Sequence, residues 1–119
     1  MSYDIRMVDF ENGETLHMDA EHYITGGTYA HGGTTEVWLN ITYNYGKFFY
    51  ETIDAERGIR ALYGKTGCEA LPILQKAIAQ LGDDVSSDYW EATEGNAKKA
   101  LKGLVVFAAM FPNGVFVGD

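Results

Sequence analysis

Cysteine, positive charge and long apolar runs are all in short supply in this chain. Cys68 is the single cysteine among 119 residues. That excludes an internal disulfide and a clustered-thiolate zinc site, and fits a reducing compartment. Nine Lys and Arg stand against 17 Asp and Glu, a net charge of −8, so long-range electrostatics oppose the phosphate backbone of nucleic acid and an anionic membrane. Direct nucleic-acid binding is not expected, although an acidic surface can face a basic groove on another protein. No run of apolar residues reaches membrane-spanning length, and the opening MSYDIRMVDFENGE is acidic where a secretory signal needs a basic start. The expected location is the cytoplasm.

What is present is enough for a core. Apolar residues make up 46% and aromatics 13% against 22% charged, a composition that folds as one domain over residues 1–119. Tyr3 to Val8 and Thr15 to Met18 flank Glu11-Asn12-Gly13, a hairpin signal. From Glu36 to Thr52 two periods compete. Val37, Leu39, Ile41, Tyr43 and Tyr45 alternate as in a strand, whereas Trp38, Ile41, Tyr45, Phe48 and Phe49 have helical spacing. Length favours the helix, with Thr34 or Thr35 as its cap, Glu36 in its first turn and Gly46 an internal penalty of about 1 kcal/mol.

Arg57 to Gly67 reads as a short helical turn closed by glycines, and Glu69 to Leu81 as a helix stopping at Gly82 with Pro72 in its first turn. A last helix runs to Phe111, capped by Ser87 or Asp88, with Trp90, Ala97, Leu101, Leu104, Val105 and Ala108 inward. Pro112-Asn113-Gly114 ends it, and Val115 to Val117 form a strand that supports the N-terminal hairpin. The expected fold is α+β: a small antiparallel sheet, N-terminal hairpin plus C-terminal strand, packed against about three helices.

Two groups of residues carry the binding chemistry. The segment TGGTYAHGGTTE, with Gly26, Gly27, Thr28, Tyr29, His31, Gly32, Gly33, Thr34 and Thr35, offers backbone N–H groups at close range to an anion ahead of the expected helix. It lacks the Gly-Lys-Ser/Thr ending of a P-loop and the dinucleotide fingerprint, and its bland counterpart is a tight turn. Arg57, Arg60, Tyr63 and Lys65 could grip a phosphate or carboxylate while stacking a planar ring, or form a solvated face balancing Asp54, Glu56 and Glu69. Asn40, Thr42 and Asn44 interrupt an apolar stretch, either tying down backbone or lining the site, and Thr93 and Asn96 invite the same two readings.

No catalytic or metal-binding pattern stands out. His17, His22 and His31 lack the spacing of a helical metal pair, and Cys68 among Ala, Leu and Ile positions reads as a small buried hydrophobe. Lys98, Lys99 and Lys102 read as solvated. Trp38, Trp90 and the eight tyrosines build the core, with a surplus for recognition. No cofactor is expected.

At GGTYAHGGTTEVWLNITYNYGKFFYE, GIRALYGKTGCEALPILQKAI and DYWEATEGNAKKAL, ending in FPNGVFVGD, the sequence resembles a family of small acidic phage- and prophage-associated proteins with no established activity. The shared elements are Asn40 to Asn44, Gly58-Ile59 through Gly67, Trp90 with Thr93, Asn96 and Ala97, and Pro112-Asn113-Gly114. The resemblance implies a phage-associated α+β domain, and with it a non-enzymatic binding protein that sequesters an anionic, nucleotide-like signalling molecule of host defence. Its rivals are an acidic inhibitor of a host defence protein, anti-CRISPR-like in role, and a phage structural or assembly accessory that would self-associate as a homo-oligomer.

Overall fold

The computed structural model describes residues 1–28, 33–88 and 91–119. The chain is an α+β domain, with its N- and C-terminal strands in one antiparallel sheet beside three α-helices. Strand β1 (Ser2–Val8) is central, flanked by β4 (Trp38–Thr42) and β5 (Val115–Gly118). Its alternation is legible in burial: Tyr3, Ile5 and Met7 point into the core while Asp4 and Arg6 are exposed. Tyr3 lies opposite Ile41, Ile5 opposite Leu39, and Met7 opposite Phe116.

The turn at Asn12-Gly13 forms, closing Val8 onto Thr15. The returning arm then leaves the sheet, because β2 (His17–His22) pairs with β3 (Thr34–Glu36) in a separate two-stranded ribbon. The third strand of the main sheet is therefore β4, arriving from a more distant part of the chain.

That finding overturns the first part of the helix expected over Glu36 to Thr52, while its last part, Gly46–Thr52, is helical. Alternation wins over residues 37–41, with Val37, Leu39 and Ile41 buried and Trp38 and Asn40 half-buried. The strand survives because β1 needs a partner for its backbone groups, a demand that local periodicity does not register. Thr34, Thr35 and Glu36 thus lie in β3 and cap no helix. Thr42 ends β4 and accepts from the Asn44 N–H to start a 3₁₀ turn over Tyr43–Tyr45, and α1 (Gly46–Thr52) follows. Gly46 is no mid-helix penalty here: it opens α1 where a Cβ would lie 2.7 Å from the Tyr3 hydroxyl.

A 3₁₀ turn over Gly58–Leu62 precedes α2 (Gly67–Gln80). Thr66 and Glu69 form a reciprocal capping box, starting α2 two residues ahead of Glu69 and placing Pro72 inside the helix rather than in its first turn. Cys68, in that first turn, is exposed, not buried. Helix α3 (Glu94–Met110) begins at Thr93, whose hydroxyl accepts from Asn96 N–H, so the caps expected at Ser87 or Asp88 are displaced. Ala97, Leu101, Leu104 and Ala108 are buried as expected and Val105 half-buried, while Trp90 lies outside the described residues. These helices pack on each other, α3 lies against β4, and Phe49, Leu74, Phe107 and Phe116 meet in one core.

Candidate functional site

The residues singled out in the sequence fall into two places. Gly26 and Gly27 lie along the open edge of β4: Gly26 bridges Ile41 in parallel, its carbonyl accepts from Thr42 N–H at 2.8 Å, and the Thr28 hydroxyl donates to the Asn40 carbonyl at 3.2 Å. Gly27 adopts φ 84°, and a Cβ there would come within 2.5 Å of the Tyr45 hydroxyl. Only glycine permits both. Tyr29, His31 and Gly32 lie outside the described residues, Gly33 lies beside Glu21 and Tyr23, and Thr34 and Thr35 belong to β3.

Arg57, Arg60 and Tyr63 gather at the end of the main sheet, but as an internal joint. The Arg60 guanidinium donates from Nε to the Asp119 carbonyl at 2.9 Å and from an Nη to the Tyr43 hydroxyl at 3.2 Å, while lying over the rings of Tyr3 and Tyr43 at 4.9 and 5.7 Å. Tyr63 donates to the same Asp119 carbonyl, and Arg57 reaches back to the Arg60 carbonyl. Burial pulls the Arg60 pKa down, but Tyr43, Tyr3 and Tyr63 outweigh it and hold it above its ordinary value. Burial, reinforced by Asp119 against the opposing pull of Arg60, pushes Tyr63 up to about 12. Arg60 thus ties together three strand ends, Tyr3 of β1, Tyr43 after β4 and Asp119 after β5. Lys65 contributes backbone here, its carbonyl accepting from Phe116 N–H.

The glycine segment has different company. A pocket of about 270 Å³ is lined by Thr25 and Gly27 from that segment, Tyr45, Ser86 and Ser87 from the loop before α3, and Asn96 and Lys99 of α3. Arg57, Arg60, Tyr63, Lys65, Asn40 and Asn44 are not among its described lining residues. Asn40 instead donates to the Tyr3 carbonyl at 3.4 Å, and Asn44 is exposed.

Asn96 holds the pocket's outer wall in place. Its side chain, 5% exposed, accepts from Ser86 N–H at 3.2 Å and donates to the carbonyls of Asp88 and Glu91 at 3.1 and 3.2 Å. Thr93 therefore caps α3, and Asn96 both ties down the loop and lines the pocket. Lys98 is not solvated: it bonds Asp83 at 2.8 Å and the Leu81 carbonyl at 3.3 Å, fixing the base of the same loop. Gly95 N–H is taken by Asp84 and Asn96 N–H by Thr93, so the first turn of α3 is already capped.

Lys99 differs from these neighbours. It lines the pocket, is exposed, and makes no ion pair or hydrogen bond among the described residues. Burial pushes the Tyr45 pKa up to about 12, so that phenol stays neutral and adds no negative charge opposite Lys99. Sequence reasoning missed Lys99, Ser86 and Ser87, because only the fold brings them to Gly27. Among the described residues, no group of three His, Cys, Asp or Glu is placed to hold a metal ion, and no helix is long and apolar enough to cross a membrane.

Comparison with family models, with curated proteins and with solved structures finds no match to this chain.

Proposed function

We propose that this protein is a non-enzymatic binding protein that sequesters a small phosphate-bearing anion of the nucleotide class, in the pocket between the glycine segment and α3. The observation that carries the reading is Lys99, a cation with no partner among the described residues in a chain of net charge −8, set in a pocket whose other described lining residues carry no charge. A phosphate lodged there gains a charge-assisted bond from the ammonium and a donor in the Ser87 hydroxyl. The close approach of Gly27 to Tyr45 leaves one wall made of backbone, which a ligand can meet without a side chain in between. The volume of about 270 Å³ lies near the lower end of small-molecule sites, roughly 300 Å³. It fits a phosphate and its attached sugar, leaving a base or second nucleotide unit to reach toward solvent. The resemblance to phage-associated proteins supports a phage or mobile-element origin and directs the choice of ligand toward the signalling nucleotides of host defence, with the host cytoplasm as the place of action.

The test pairs native mass spectrometry with titration. Protein purified from cells that express a cyclic-nucleotide synthase is compared with protein from cells that lack one. The apo protein is then titrated with inorganic phosphate, adenosine monophosphate and cyclic diadenylate. The expected result is a bound nucleotide mass in the first sample, saturable binding of a nucleotide probe, and affinity about tenfold weaker in Lys99→Ala, the loss of one charge-assisted contact. Lys102→Ala, one turn further along α3, should bind as the native chain does. Clean apo masses in both samples with no saturable binding of any probe would overturn the proposal.

A further inference from the structure

A second concavity lies where the turn after β1 meets the end of α3. It encloses about 730 Å³ between Phe10 and Leu16 on one side and Met110 and Phe111 on the other, with Asp9 and Glu11 in its lining. Phe10 is 80% exposed and Met110 51%. Large apolar side chains left in water on both walls of one cleft mark an interaction surface more than a solvated loop.

The Phe10 turn is held firmly. Asp9 Oδ1 accepts from the N–H groups of Glu11 and Asn12 at 2.8 and 3.3 Å, the Asp9 carbonyl accepts from Gly13 at 2.9 Å, and Asp9 N–H reaches the Glu14 carbonyl at 2.8 Å. The facing wall is closed by Gly114 N–H bonding the Phe111 carbonyl at 3.0 Å. Phe10 is thus presented by a preorganised turn, which reduces the ordering cost of binding.

Charge selects the occupant. Both charged residues in the lining are carboxylates, and the chain as a whole carries −8. A second copy of this chain, a nucleic acid or an anionic small molecule meets repulsion, whereas a basic segment is steered in. We propose that this cleft docks a short basic segment of a partner protein, inserting one bulky apolar side chain between Phe10 and Met110 and setting its Lys or Arg toward Asp9 and Glu11. An aromatic or aliphatic anchor in a preformed cleft, ringed by charge, is the arrangement in which a few residues carry most of the binding energy.

The experiment titrates the full-length, nitrogen-15-labelled chain with three hexapeptides: Lys-Lys-Leu-Trp-Lys-Lys, the same charge without an anchor as Lys-Lys-Gly-Gly-Lys-Lys, and the same anchor with reversed charge as Glu-Glu-Leu-Trp-Glu-Glu. The first peptide should move the amide signals of Phe10, Glu11, Phe111 and Gly114 in a saturable way and bind at least about tenfold tighter than either control. Phe10→Ser and Met110→Gln, at exposed positions that leave the thermal midpoint unchanged, should each weaken it about tenfold. Equal binding of the first two peptides would reduce the effect to net charge and overturn the proposal. Undiminished affinity in Phe10→Ser, an absence of saturable shifts at the cleft, or movement of the same amides on concentrating the protein alone, which makes the occupant a second copy, would overturn it as well.

Discussion

At the end of the main sheet, Arg60 lies among tyrosines and donates to Asp119 and Tyr43, whereas Lys99 lines a polar pocket with its ammonium unpartnered among the described residues. Both are cations in an acidic chain, and both sit beside aromatic hydroxyls. The difference is what the fold has already placed against them. The Asp119 carbonyl lies 59 residues from Arg60 in sequence and accepts from its Nε, so the more conspicuous basic and aromatic cluster links the strand ends of the sheet. The less conspicuous lysine, read from the sequence as solvated, is exposed in a pocket whose other described lining residues carry no charge.

Three changes test that contrast, from the largest effect to the smallest. Gly27→Val should be the most damaging: it places a branched side chain at φ 84° with its Cβ 2.5 Å from the Tyr45 hydroxyl. A loss of about 3 kcal/mol in denaturant unfolding is expected, together with loss of ligand binding as the pocket wall shifts. A variant as stable as the native chain would show that Gly27 is not held against Tyr45. Next, Arg60→Met removes the bonds to Asp119 and Tyr43 and the stacking on Tyr3, for an expected loss of about 2 kcal/mol in the same measurement. Ligand affinity in that variant should stay within about twofold, since Arg60 lies outside the pocket.

The smallest effect comes from acid. The hydrogen bond and then the charge of Lys98 hold the Asp83 carboxyl below its ordinary value. Because the folded value is the lower one, this contribution is present above the unfolded carboxylate pKa, about 4, and is lost as pH falls through the folded value. Glu69, lowered by the Thr66 backbone N–H and side chain, behaves with the same sign at the start of α2. The protection of the Ser86 and Asp88 amides, taken relative to their intrinsic exchange rate at each pH, should therefore fall below about pH 4, and Asp83→Asn should remove most of that dependence around the pocket while leaving the α2 start unchanged. An unaltered pH profile in the variant would exclude the Asp83–Lys98 tether as the anchor of this loop.

How far the sequence carries is decided by the range of the interactions involved. Helices α2 and α3 are legible because their apolar spacing is local, and β5 because Val115 to Val117 follow a clear Pro-Asn-Gly turn. The Thr66-to-Glu69 capping box was also there to be read, and it corrects the α2 boundary. Strand β4 was not legible. Residues 38–42 satisfy a helical spacing almost as well as an alternating one, and what settles the matter is pairing with Ser2 to Arg6, far away in the chain. The same reason removes the helix expected behind the glycine loop: β3 and β4 follow it instead. The residues that share the pocket with Gly27, among them Ser86, Ser87 and Lys99, arrive from the loop and helix near the other end of the chain. Cys68 was misplaced because α2 begins at Gly67, which turns its second residue outward.

The most direct measurement is a paired one on Lys99→Ala and Arg60→Met, taking both the unfolding free energy and the affinity for whichever of adenosine monophosphate or cyclic diadenylate binds the native chain. The account predicts opposite losses. Lys99→Ala should keep its stability within about 0.5 kcal/mol and bind about tenfold more weakly, whereas Arg60→Met should be destabilised by about 2 kcal/mol and bind as the native chain does. If affinity instead falls in Arg60→Met and persists in Lys99→Ala, the site belongs at the end of the sheet and the central claim is wrong.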